Sequence, residues 1–185
     1  MEGLGHAIYT AIPTFDDEEI FIILGDTIFD VDLKGVFREK ISSLGVKEVE
    51  DPRRFGVAVL KDEYVEKLVE KPQTPVSRLA LVGLYYVSHK QALIDSLNEL
   101  VKKDIRTKGE LQLTDALQIM IDKGEKVKTF PVEGWYDCGK PETLLSTNQF
   151  LLNKKSHFRR YDKVVINEPV YISDDAETVS YTHLR

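Results

Sequence analysis

Four consecutive apolar residues, Phe21-Ile22-Ile23-Leu24, stop at Gly25-Asp26-Thr27. A short continuous apolar run closed by a glycine predicts a central strand covered on both faces, as parallel α/β sheets require. Asp26 then leaves that strand at the carboxyl edge of the sheet, where open α/β folds place their ligands. A second carboxylate, Asp137, stands in the motif Trp135-Tyr136-Asp137-Cys138-Gly139. Two acids delivered from distant parts of a chain to one crevice suit a magnesium and phosphate site. Asp26 and Asp137 are therefore the candidate metal ligands.

The rest of the pattern agrees with an alternating α/β chain. Leu4, Ala7, Ile8 and Ala11 recur at helical spacing, so a short helix spans 4–12, and a strand follows at 20–25. Leu33, Val36, Phe37, Lys40, Ile41 and Leu44 share one stripe, which predicts an amphipathic helix ending before Gly45. From Phe55 the period becomes two, and the runs 55–60 and 64–69 flank Lys61-Asp62-Glu63 as a hairpin whose turn lacks the usual Gly or Asn. A strand at 79–88 carries Gly83, which marks a close approach by ligand or backbone. Helices are predicted at 90–103 and 113–123, a strand at 126–132, and a helix at 141–152 opened by Pro141. After Asn153 the segment 164–172 is β-rich with a spacing of about six residues, as in the first coil of a β-helix. One coil cannot bury its own faces. The residues from Val179 to Arg185 continue no pattern and read as a tail foreign to the fold.

Composition excludes several classes. The chain has 185 residues, 42% hydrophobic and 30% charged, enough for one domain with a real core. No apolar run approaches the roughly 20 residues of a membrane span, and Met1-Glu2-Gly3-Leu4 has no secretory character. The formal net charge of −6, with no long basic block, argues against nucleic acid as a partner. The single cysteine, Cys138, forbids an internal disulfide and points to a reducing cytoplasm. His6, His89, His157 and His183 show no zinc spacing, and Cys138 has no histidine near it in sequence to make it a nucleophile.

Each candidate has a plain structural alternative. Asp26 can cap the turn toward Thr27 or Phe29 instead of binding a metal. Glu70-Lys71-Pro72 can be an exposed strand end, or can present a cation to phosphate and a carboxylate to sugar hydroxyls. In Gly109-Glu110-Leu111-Gln112-Leu113-Thr114-Asp115, ordinary helix capping accounts for Thr114 and Asp115, while Glu110 is less readily dismissed. Asp137 stands too far upstream to be the simplest cap of the helix at Pro141.

Taken in order, Gly3-Leu4-Gly5-His6-Ala7, Leu24-Gly25-Asp26, Phe55-Gly56-Val57, Glu70-Lys71-Pro72, Val82-Gly83-Leu84-Tyr85, Gly109 to Asp115 and Trp135 to Gly139 resemble the sugar-phosphate nucleotidyltransferases. Glucose-1-phosphate thymidylyltransferases and uridylyltransferases are the nearest in pattern. The resemblance covers residues 1–153. It implies a Rossmann-like nucleotide-diphospho-sugar transferase sheet, with 154–178 as the start of a left-handed β-helix. The implied reaction joins a nucleoside triphosphate (dTTP or UTP) and a sugar-1-phosphate into a nucleotide sugar and pyrophosphate, with Mg²⁺ as cofactor. By position, Asp26 and Asp137 would hold the metal and Lys71 would meet the sugar phosphate. Gly3 would lie against the base, Glu70, Gly56 and Tyr85 would line the sugar pocket with Glu110 nearby, and Gly83 would admit the ligand. The family's glycine-rich loop and its following arginine and lysine have no counterpart in residues 1–20, so the catalytic domain is expected to be incomplete at its N-terminus. A non-catalytic sugar-phosphate-binding subunit of the same fold is the alternative. The resemblance also allows a homo-oligomer of the full-length protein.

Overall fold

The computed structural model describes residues 2–158 and 164–177 and divides the chain into two compact units, Met1–Trp135 and Tyr136–Arg185. The first unit contains helix α1 (Leu4–Ala11), strands β1 (Ile20–Ile23) and β2 (Thr27–Asp30), helix α2 (Lys34–Glu39) and strand β3 (Ser43–Glu48). The hairpin β4 (Gly56–Lys61) and β5 (Tyr64–Glu70), the long strand β6 (Leu79–Val87), helices α3 (Lys90–Lys102) and α4 (Leu113–Asp122), and strand β7 (Lys128–Pro131) complete it. Strand β8 (Gly134–Asp137) begins in this unit, and helix α5 (Pro141–Lys154) belongs to the second.

The sheet is mixed and is organised around β6. Its order is β5-β4-β6-β3-β7, with β1 also paired to β6. Only β3 and β7 are parallel to one another; β1, β3 and β4 all run antiparallel to β6. The expectation of a central β1 in a parallel sheet is corrected here. Ile20 to Ile23 pair with Val87 to Leu84 on one side only, and Ile23 is 56% exposed. The strand covered on both faces is β6, nearly all of whose nine residues are buried. Its side chains alternate strictly. Leu81, Tyr85 and Val87 join the core under α1, α3 and α4, whereas Val82 and Leu84 join a second cluster with Phe130 and Val132 on the opposite face.

The helices over the first face are chosen by spacing. Leu93, Leu97 and Leu100 of α3, and Leu113, Ala116, Leu117 and Met120 of α4, recur every three or four residues and are almost fully buried. Each such leucine contributes about 1.5–3 kcal/mol of burial. The helix expected over 33–44 is shorter than its stripe. Lys40 adopts φ 52°, a left-handed conformation that ends α2, and Ser43 to Val46 enter the sheet as buried β3. Leu44 thus keeps its apolar burial but changes element, half-buried Ile41 falls in the bend between α2 and β3, and Gly45 lies inside a strand. The hairpin forms as expected, and Asp62 at φ 57° supplies the left-handed turn residue in place of glycine.

In the second unit Tyr136 stacks on Phe150 of α5 with ring centroids 3.9 Å apart. Buried Thr147 of the same helix donates its hydroxyl to the Asp137 carbonyl at 3.4 Å. The β-helix start expected over 154–178 does not appear as a strand among the described residues, which show a single bridge between His157 and Tyr171. Val165 there is 88% exposed, as expected for a segment with nothing stacked against it. The tail expected at 179–185 lies outside the described residues.

Candidate active site

The end of the β4–β5 hairpin builds a polar corner. Gly56 and Glu70 are opposite one another in the ladder, and a Cβ on Gly56 would stand 2.9 Å from Glu70 Oε2 and 3.2 Å from Thr114 Oγ1. The close approach explains the glycine, because any side chain would displace the carboxylate. Glu70 has only 9% of its side chain exposed, and its two oxygens have different partners. Oε2 accepts the Thr114 hydroxyl at 2.7 Å, and Oε1 lies 3.6 Å from the Lys71 ammonium. Lys71 is 44% exposed, so its charge can reach a ligand while Glu70 stays fixed. The lysine backbone turns left-handed at φ 43°, and its carbonyl accepts Lys108 Nζ at 2.7 Å.

Two titratable side chains face this corner. Tyr85 is buried, and burial first, then the Glu70 charge, pushes its hydroxyl well above the ordinary phenol range. Asp115 is raised above its ordinary 3.8, chiefly by burial and further by Glu70, against a hydrogen bond from Thr107. Its Oδ2 is buried without a hydrogen-bond partner. Capping had accounted for Thr114 and Asp115 in the sequence, yet α4 has no side-chain cap at its N-terminus. The signal that could have found them is the placement of both in the first turn of a helix whose N-cap, Gln112, is unsuited to capping.

A second corner forms where the chain start meets the loop before α4. The Leu111 N–H donates to the Glu2 carbonyl and the Gly5 N–H to the Leu111 carbonyl, both at 2.8 Å. Gly3 at φ 102° lies so close that a Cβ would stand 2.6 Å from the Leu111 oxygen and 2.9 Å from Glu110 Cβ. Both its conformation and its contacts demand glycine. Glu110 is held by Gln112 Nε2 at 3.0 Å. Segment 110–115 carries both corners: Glu110 belongs to the second and Thr114 to the first. Gly83 is different. Its φ of 89° and the 2.9 Å approach of Leu24 give it a packing role, and the space above it is occupied by that leucine side chain.

The two aspartates are set by short turns. Asp26 is exposed after β1 and, among the described residues, accepts the neighbouring Thr27 hydroxyl at a long 3.3 Å. Asp137 is half-buried in the second unit, where its Oδ1 accepts the Gly139 N–H at 2.8 Å. Neither caps a helix: α2 follows Asp26 only eight residues later, and Lys140, not Asp137, is the N-cap of α5. No group of three or more His, Cys, Asp or Glu side chains able to hold a metal occurs among the described residues. Cys138 is half-buried with its thiol turned to the Tyr136 carbonyl at 3.9 Å. No helix among the described residues is long and apolar enough to cross a membrane.

The sequence and the fold are similar to those of known proteins. A model of the family described as nucleotidyl transferase matches residues 1–154. A low-salt glycan biosynthesis nucleotidyltransferase, Agl11, of Haloferax volcanii is 38% identical over 165 residues, covering 85% of this chain and 45% of that protein. The bifunctional protein GlmU of Methanocaldococcus jannaschii is 40% identical over 157 residues, covering 83% of the chain and 36% of the relative. A glucose-1-phosphate thymidylyltransferase of Streptomyces antibioticus is 34% identical over 159 residues, with 81% and 43% covered. The chain thus spans less than half the length of these curated relatives. Among solved structures, a UDP-glucose pyrophosphorylase complexed with UDP-glucose superposes with a TM-score of 0.69 at 25% identity, over 84% of this chain and 64% of that one. An apo UDP-glucose pyrophosphorylase gives 0.69 at 26% identity, over 83% and 61%.

Proposed function

Because the chain belongs to the nucleotidyl transferase family, we propose that it contributes the sugar-phosphate side of a site that makes a nucleotide sugar. A phosphate oxygen of a sugar-1-phosphate, glucose-1-phosphate by preference, attacks the α-phosphorus of dTTP or UTP. The new P–O bond forms as the bond to the β-phosphate bridging oxygen breaks, and pyrophosphate leaves with the electron pair. Such a reaction needs positioned charge more than covalent help from the protein.

The observation that carries this reading is the Glu70–Lys71 corner. Glu70, fixed through Thr114, is an acceptor for sugar hydroxyls, and Lys71 beside it is a mobile point charge for the sugar phosphate. Gly56 leaves room for the carboxylate and Tyr85 backs the pocket. Gly3, which tolerates no Cβ, offers a flat backbone surface to the base, with Glu110 beside it. The remaining groups are the two aspartates. Their hard carboxylate oxygens suit Mg²⁺, and Asp137 has one oxygen engaged and Asp26 only a weak neighbour, so both retain lone pairs for a cation. Bound Mg²⁺ would neutralise charge on the phosphates, with most of its remaining ligands drawn from substrate and water. The lone half-buried thiol of Cys138 is consistent with a cytoplasmic setting.

The test, made on the full-length protein, is pyrophosphate release from dTTP or UTP with glucose-1-phosphate and Mg²⁺. Asp26→Asn and Asp137→Asn should each lower kcat by more than about a hundredfold, the upper end of what outer ligands of a metal cost. Normal turnover in either variant would remove that aspartate from the metal site. Binding of glucose-1-phosphate without any turnover would favour the non-catalytic alternative.

A further inference from the structure

The loop between α3 and α4 has an unusual backbone. Asp104, Lys108 and Gly109 are all left-handed, at φ 49°, 55° and 85°. Non-glycine residues hold such conformations only where surrounding contacts impose them. Here the contacts radiate from Arg106. Its Nε donates to Asp104 Oδ1 at 2.7 Å and its Nη1 to the Gly109 carbonyl at 3.1 Å, clamping both ends of the loop. Its Nη2 reaches Glu2 Oε2 at 2.5 Å, in the segment that carries Gly3. Thr107 and Glu110 close the loop with reciprocal backbone bonds of 3.0 and 3.2 Å.

The same loop has a second attachment. Lys108 Nζ donates to the carbonyl of Lys71, whose own backbone is left-handed and whose N–H is held by the Phe55 carbonyl at 3.0 Å. One seven-residue segment, 104–110, is therefore fastened at Arg106 to the carboxylate of Glu2, the residue before Gly3, and at Lys108 to the Glu70–Lys71 turn. An isolated surface ion pair would count for little. Arg106 differs because three acceptors share one planar guanidinium, which is only 34% exposed.

We propose that Arg106 is a positioning residue and that segment 104–110 is a strap that sets the spacing between the Gly3 corner and the Lys71 corner of the site. The assignment of ligands to those corners rests on the nucleotide-sugar reading above; the mechanical coupling does not. A nucleotide sugar, which spans both corners, needs that spacing. A sugar-1-phosphate needs only the Lys71 corner. Coupling between neighbouring subsites of this kind typically changes affinity about 5- to 150-fold.

Two measurements test the strap. In hydrogen–deuterium exchange without ligand, Arg106→Gln should raise exchange at residues 2–5 and, at a distance, at 70–72. A rise confined to 104–110 overturns the coupling whatever the ligands do. In titration calorimetry, Arg106→Gln should weaken UDP-glucose about tenfold more than glucose-1-phosphate. Glu2→Gln should reproduce that loss, the double variant should add little to it, and Arg106→Lys should restore part of it. Equal weakening of both ligands overturns the positioning role. If the unaltered protein binds neither ligand, the functional reading fails and the exchange result alone judges the strap.

Discussion

Thr114 sits in the first turn of α4, where a hydroxyl ordinarily bonds back to its own helix. Instead it donates to Glu70, 44 residues away in sequence. A hydrogen bond to a charged group that is nearly buried is worth about 1.5–3 kcal/mol. Thr114→Val should therefore raise KM for glucose-1-phosphate roughly tenfold with little change in kcat, and Thr114→Ser should restore it; steady-state kinetics decides. A comparable fall in kcat would mean that Glu70 acts at the transition state rather than in binding. The sequence placed Glu70 and Lys71 at a strand end before a proline, whereas Gly56 entered as a candidate through the resemblance alone. The parts played by Thr114, Asp115, Arg106 and Lys108 were not legible. Their roles depend on partners far away in the chain; for Thr114 and Asp115 the poor N-cap Gln112 is the one local sign, and nothing local sets Arg106 and Lys108 apart from surface charges.

At the scale of elements, helical spacing identified α1, α3 and α4, whose apolar stripes pack on the core, while Pro141 marked the start of α5, in which Thr147 is the buried residue. The segment 33–48 misled for a specific reason. An apolar spacing of three and four continues across the end of α2 into β3, so a helical stripe and the first buried strand residues read as one helix. The boundary is a backbone event at Lys40, a lysine in the left-handed region at φ 52°. That conformation costs an ordinary residue about 1–2 kcal/mol relative to glycine. Part of that gain is lost to the greater freedom of glycine in the unfolded chain. Lys40→Gly should stabilise the protein by about 0.5–1 kcal/mol, measured as a shift in the urea midpoint at unchanged slope. Loss of stability would show that the exposed pair with Glu19, 3.6 Å apart, matters more than the backbone.

For the whole molecule, the alternation of strands and helices predicted an α/β architecture, and that is what forms, though with a mixed rather than a parallel sheet. The direction and order of strands were not legible. A continuous apolar run says that a strand is buried but not which neighbours bury it, and β1 and β6 share that signature while differing in placement. The same ambiguity extends to 164–172, where β-rich spacing without a stacked neighbour leaves Val165 in solvent.

The central position of β6 also has a consequence in time. Ile20 pairs with Val87 and Glu48 with Leu79, so two strands made early must await one made later. Only the β4–β5 hairpin can close from local sequence alone, its Lys61 and Tyr64 meeting across a two-residue turn. Long loops must close before the distant pairings repay their entropy, which slows assembly. Substitutions in the hairpin, such as Val57→Ala, should slow refolding, whereas Ile22→Ala in β1 should mainly speed unfolding; stopped-flow chevrons separate the two. The reverse result would mean that the sheet nucleates across β6, with the most distant partners meeting first.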